Sequence, residues 1–250
     1  MGDVLAMIPI MAVVLAVSLA LLVLLAAIEG IGFDEFGSME TSELPPSMVV
    51  LPTMLQQVAW FGWPFVVSRW KGLGPASDWG WAFKPIDLGI GLGVAMIAMF
   101  LAGLGATITS ALVGLEDESL AENTQIINDL EGSPWLWGLL FALVVGAPFS
   151  EELLFRGLIL RSVAKRWGNV AGVVGSLLLF VPIHLADSGI GAGQVVLWVS
   201  IALLGLVLAV TAVVTERLAA PILAHMIINA IGAGGALGYL GGPGALLPIP

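Results

Sequence analysis

Apolar residues along this chain come in blocks of about twenty, and most charged residues fall between the blocks. A helix rising 1.5 Å per residue crosses the ~30 Å hydrocarbon of a bilayer in about that length, and it satisfies its backbone hydrogen bonds within the span. The shorter alternating segments of a membrane β-barrel are absent from the pattern. The blocks predict helices over 4–28, 47–68, 87–114, 134–160, 170–186, 194–214 and 218–240. The expected fold is all-α, a polytopic transmembrane helical bundle of about seven spans, with six and eight as its bounds. The first block carries Asp3, lacks a basic flank and exceeds the apolar core of a secretory signal, so a retained span is expected.

Composition agrees with this pattern: 59% of residues are hydrophobic and 10% charged, against about 25% charged in soluble domains. With no cysteine, disulfides, thiolate metal sites and cysteine nucleophiles are excluded. The net charge of −10 comes largely from two connecting segments, one with Glu29, Asp34, Glu35, Glu40 and Glu43, the other with Glu116, Asp117, Glu118, Glu122, Asp129 and Glu131. Such segments read as solvated loops that repel nucleic acid, and no phosphate loop or basic patch offsets that reading. Arg69, Lys71 and Lys84, then Arg161, Lys165 and Arg166, then Arg217 sit at alternate ends of successive spans. The positive-inside tendency then predicts a multi-pass protein of the cell membrane with a cytoplasmic N-terminus and external acidic loops. Trp70, Trp79, Trp81, Trp135, Trp137 and Trp167 cluster near span ends, as interfacial anchors do.

Against this background "SEELLFRG" (150–157) is anomalous, because it puts Glu151, Glu152 and Arg156 inside an apolar block. Each ionisable group at mid-bilayer costs at least about 2.5–3.5 kcal/mol on insertion scales. Glu152 and Arg156, four apart, share a helical face and are expected to pair, whereas Glu151 is turned about 100° away and lacks a local cation. A carboxylate so placed is suited to act as a base. Both histidines of the chain also fall in predicted spans: His184 in "FVPIH" and His225 in "HMIIN", where Asn229 shares the face of His225. With the fourth and fifth blocks folded as a hairpin at Gly168, Glu151 and His184 lie 17 and 16 residues from the turn, each about 25 Å away. Four polar groups on three helices are thus expected at one depth.

"EELLFRG", "FVPIH" and "HMIIN" resemble, in order, the EExxxR, FxxxH and HxxxN motifs of the CPBP family of intramembrane proteases, also called the CAAX protease or Abi family and related to the type II CAAX prenyl endopeptidase. The resemblance covers residues 134–240 and implies an organisation of N-terminal spans and loops over 1–133, catalytic helices over 134–240 and a tail over 241–250. It implies an endopeptidase acting on membrane-associated or prenylated peptides, with Glu151 activating water, His184 orienting it, and His225 and Asn229 donating to the oxyanion. Glu152, Arg156 and Phe180 would support these groups. No cofactor is favoured, although Glu151, His184 and His225 also form a His₂Glu set suited to zinc, and the family has been described in both terms. The expected partners are the lipid bilayer and a peptide or prenylated protein substrate. The alternatives are a non-catalytic membrane immunity or scaffold protein, and a proton-coupled transporter, since intramembrane Glu, Arg and His also mark ion pathways.

Overall fold

The protein is described by a computed structural model over residues 6–39, 43–114, 125–184 and 191–239. Among these residues every regular element is helical. Five helices are long and apolar enough to cross a membrane: Pro9–Glu29, Ile86–Val113, Trp135–Ile183, Gly193–Thr215 and Ala219–Ala236. The expected helix near 47–68 forms as Pro46–Lys71, but Pro52, Pro64 and polar Gln56 and Gln57 dilute it, and it is not one of the five. The last helix stops at Ala236, short of the expected 240. Residues 4 and 5, 40–42, 115–124, 185–190 and 240–250 lie outside the described residues, and with them much of the second acidic loop, the expected end of the fifth span and the tail.

The fourth and fifth expected spans form one run, Trp135–Ile183, broken at Gly168 (φ 84°, ψ 167°). The first arm continues beyond the expected Leu160 to Trp167, and the second folds back along it. Ser176 donates to the Phe155 carbonyl at 3.1 Å, and the Phe155 and Phe180 rings meet edge to face at 5.2 Å. The backbone at Gly168 is open to glycine and strained for other residues. Gly168→Ala is therefore expected to lower stability by about 1–3 kcal/mol, read as an unfolding shift in detergent.

Around this hairpin, Ile86–Val113 packs against the last two helices through small residues. Ala95, Ala98 and Ala102 are buried against Leu204, Leu208, Ala224 and Ile228, the close backbone approach that membrane interfaces favour. Pro46–Lys71 covers the first arm with Trp60, whose ring lies edge-on to Phe155 at 6.0 Å. The N-terminal helix is peripheral, tied in by Trp60 Nε1 donating to Met11 Sδ at 3.0 Å.

Basic connections gather at one end of the bundle. Arg217 holds Asp87 through two bonds, of 2.6 and 3.3 Å, and Arg161 donates to the Glu216 carbonyl at 3.0 Å. The Asp87 hydrogen bond raises the Arg217 guanidinium above its ordinary pKa. A polar cavity of about 550 Å³ opens here between Ser77, Asp78, Arg161, Lys165, Asn169 and Glu216. Trp70, Trp137 and Trp167 are exposed as anchors should be, but Trp79 is buried, packed edge to face on Phe65 at 5.2 Å. Its aromatic neighbours make it core, a correction to its expected place among the anchors.

Candidate active site

The path to Glu151 begins with a proline. Pro148 carries no N–H, so it cannot close the turn preceding it. The chain responds by widening at Ala142–Gly146 into a π-turn, where the Ala147 N–H reaches the Ala142 carbonyl, five residues back. In that spacing the donor for the Leu143 carbonyl would be residue 148. The Asn229 amide takes its place, with Nδ2 2.8 Å from the Leu143 oxygen. Gln57 Nε2 donates at 2.9 Å to the adjacent Ala142 carbonyl. A second π-helical stretch, Glu152–Leu160, follows Glu151 directly. Neither was legible as a helical-period pattern, and π-turns concentrate at functional sites.

His184 is not inside a helix, as an expected span reaching 186 implied. The helix ends at Ile183, and His184 is its cap (φ −88°, ψ 5°). An uninterrupted helix would pair the His184 N–H with Phe180; here that N–H turns to Val181 at 3.1 Å, and the imidazole Nδ1 donates to the freed Phe180 carbonyl at 2.9 Å. Pro182, which cannot donate, loosens this last turn. With Nδ1 so engaged, Nε2 is directed toward Glu151 Oε2, 3.8 Å away. From the last helix, His225 brings its own Nε2 to 3.9 Å from the same oxygen. Glu151 Oε2 is buried and has no hydrogen-bond partner among the described residues. Both separations exceed a direct hydrogen bond. Two ring nitrogens thus stand within 3.9 Å of one carboxylate oxygen, separations that a bridging water would span.

Glu152 and Arg156 pair as expected, at 3.0 Å and with no side-chain exposure. The same Glu152 oxygen accepts from His225 Nδ1 at 3.0 Å, and Arg156 donates to the Gly205 carbonyl at 3.1 Å. Phe180 closes this layer: the guanidinium stands 4.2 Å over its ring, whose centroid lies 4.6 Å from His184 and 6.4 Å from His225. The structure therefore brings Glu151, Glu152, Arg156, Phe180, His184 and His225 together. Asn229 lies one turn beyond His225 and commits one amide hydrogen to Leu143, while its Oδ1 stays buried without a partner among the described residues.

The donor types at the centre suit zinc, and each imidazole is anchored through Nδ1 in the manner of metal ligands. The spacing is wider. Ligand atoms about 2.0–2.1 Å from a tetrahedral ion lie roughly 3.3 Å apart, against 3.8 and 3.9 Å here. No group of three or more His, Asp or Glu side chains among the described residues is drawn together as a metal site.

Comparison with curated proteins and with solved structures gives no match. A family profile does match, and the matched segment encloses every residue of the cluster from Glu151 to Asn229. With its five apolar helices the chain is an integral membrane protein. Residues 133–231 match the family described as type II CAAX prenyl endopeptidase Rce1-like, consistent with the CPBP/CAAX protease family.

Proposed function

We propose that the chain is an intramembrane endopeptidase cleaving membrane-associated or prenylated, CAAX-type peptides within its 134–240 helices. The observation that carries this reading is the triangle formed by Glu151 Oε2 and the Nε2 atoms of His184 and His225. A water at its centre donates one hydrogen to Glu151 and the other to the His184 Nε2 lone pair, which the Nδ1 bond to Phe180 leaves available. Its oxygen then adds to the scissile carbonyl as Glu151 takes the proton. His225 gives Nδ1–H to Glu152; as an imidazolium, held by that carboxylate, it also offers Nε2–H to the oxyanion. The second amide hydrogen of Asn229 adds a donor. Collapse breaks the C–N bond and returns the proton from Glu151 to the leaving amine, so Glu151 serves as base and then acid.

A zinc reading is favoured by one observation: with both Nδ1 atoms donating, neutral imidazoles present two lone pairs to a carboxylate, a set that needs a cation or an added proton. Glu151, His184 and His225 would hold the ion, which would supply Lewis acidity. We favour the added proton, because the spacing is wide for zinc. Reconstituted protein given a quenched peptide library with prenylated tails is expected to cleave after dialysis against a chelator. Activity lost on chelation and restored by zinc would reverse that preference. No cleavage of peptides cut by an active relative would favour a scaffold, immunity or carrier role.

For orientation, we place the N-terminus and the basic end of the bundle in the cytoplasm. His184 then lies toward the opposite end, about 24 Å from Gly168 at 1.5 Å per residue.

A further inference from the structure

Gln57 stands outside both the three motifs and the matched segment, yet it touches the turn that sets the direction of Glu151. A π-turn adds one residue to a helical turn, so its loss rotates one flank against the other by about 100°, the angle per residue of an α-helix. Glu151 begins only five residues after this turn, whereas both imidazoles are presented by other segments. A rotation of that size would carry its carboxylate away from them.

Three side chains hold the wide turn. Pro148 withholds the N–H that would close it, Asn229 satisfies the Leu143 carbonyl, and Gln57 adds a second donor to the Ala142 carbonyl, which also accepts the Ala147 N–H that defines the turn. Ala142 is fully buried, so no solvent replaces the Gln57 amide on its carbonyl. Gln57 also seats against Gly146, the last residue of the turn, where a Cβ would collide with Gln57 Oε1. Its side chain therefore touches the turn at both ends.

We propose that Gln57 is a positioning residue of the active site, fixing the helical phase at which Glu151 faces His184 and His225. The inference rests on the endopeptidase reading for its effect on catalysis, but its geometry can be tested without activity. The chain has no native cysteine, so introduced pairs report alone. One pair is Glu151→Cys with His184→Cys, joined by a short bifunctional thiol reagent. A control pair is Val163→Cys with Gly175→Cys across the same hairpin, where a Cβ built at Gly175 lies 3.8 Å from that of Val163, within disulfide reach. In the Gln57→Leu background the rate of cross-linking at 151–184 is expected to fall about tenfold, and the control pair to react as before. In the otherwise native chain the same substitution is expected to lower kcat about 10–100-fold at unchanged KM, as the loss of an outer support does. Unchanged 151–184 cross-linking overturns the proposal whatever the activity, and loss at both pairs overturns it in favour of a general folding role. A parent protein that cleaves nothing rejects the endopeptidase reading, while the cross-linking still decides the role of Gln57.

Discussion

Glu151→Gln is expected to reduce peptide cleavage by about 10²–10⁴-fold. Glutamine keeps the volume and planarity of the side chain but cannot take a proton from water, so the loss falls on kcat while KM changes little. Unfolding should be unaffected or slightly improved, because Glu151 Oε2 is buried without a hydrogen-bond partner among the described residues. Kinetics and melting of the parent and variant in the same detergent check both halves. Activity retained within tenfold would remove Glu151 from the chemistry, and the reading built on its triangle with it.

The largest expected effect on stability lies one turn further on. Arg156→Met should destabilise the fold by about 3–5 kcal/mol, since it takes the guanidinium from a Glu152 carboxylate that has no side-chain exposure. The His225 Nδ1–H that remains reaches one oxygen at 3.0 Å, while Glu152 Oε2 stays buried without a partner among the described residues. Replacing both partners, Glu152→Gln with Arg156→Met, should recover much of the stability, because with both charges removed no carboxylate is left buried without its cation. Activity should not return with it, since His225 then lacks the carboxylate that accepts its Nδ1–H. Denaturant unfolding beside peptide cleavage separates these outcomes. A double variant as unstable as the single one would show that the pair is more than mutual neutralisation.

Much of this arrangement was legible as spacing. Glu152 and Arg156 four apart gave the ion pair, and the nearly equal distances of Glu151 and His184 from Gly168 gave their common depth, in keeping with the break at that glycine and the 3.8 Å approach. The π-turns were not legible, because a hydrophobic period over five to nine residues does not distinguish a wide turn from an ordinary one. Pro148 was the available signal: a proline inside an apolar run demands that some carbonyl find another donor. The position of His184 at a helix end was obscured in the same way by Pro182, since apolar residues run on past the point where the backbone turns. Gln57 carried no signal at all, for a glutamine in a span reads as a dilution of hydropathy until its partner on another helix is known.

The cluster draws its members from separate places along the chain, and a ribosome delivers them in order. Glu152 and Arg156 are made together and neutralise each other within one helix as that helix forms. His225 and Asn229 are made some seventy residues later, on the last described helix, so until then Glu151 lacks one imidazole, Glu152 its second partner and the Leu143 carbonyl its donor. A nascent chain stopped after Thr215 therefore carries charges that are tolerable in a bilayer but a site that cannot work. Under the endopeptidase reading, hydrolytic competence arrives with the insertion of the last described helix.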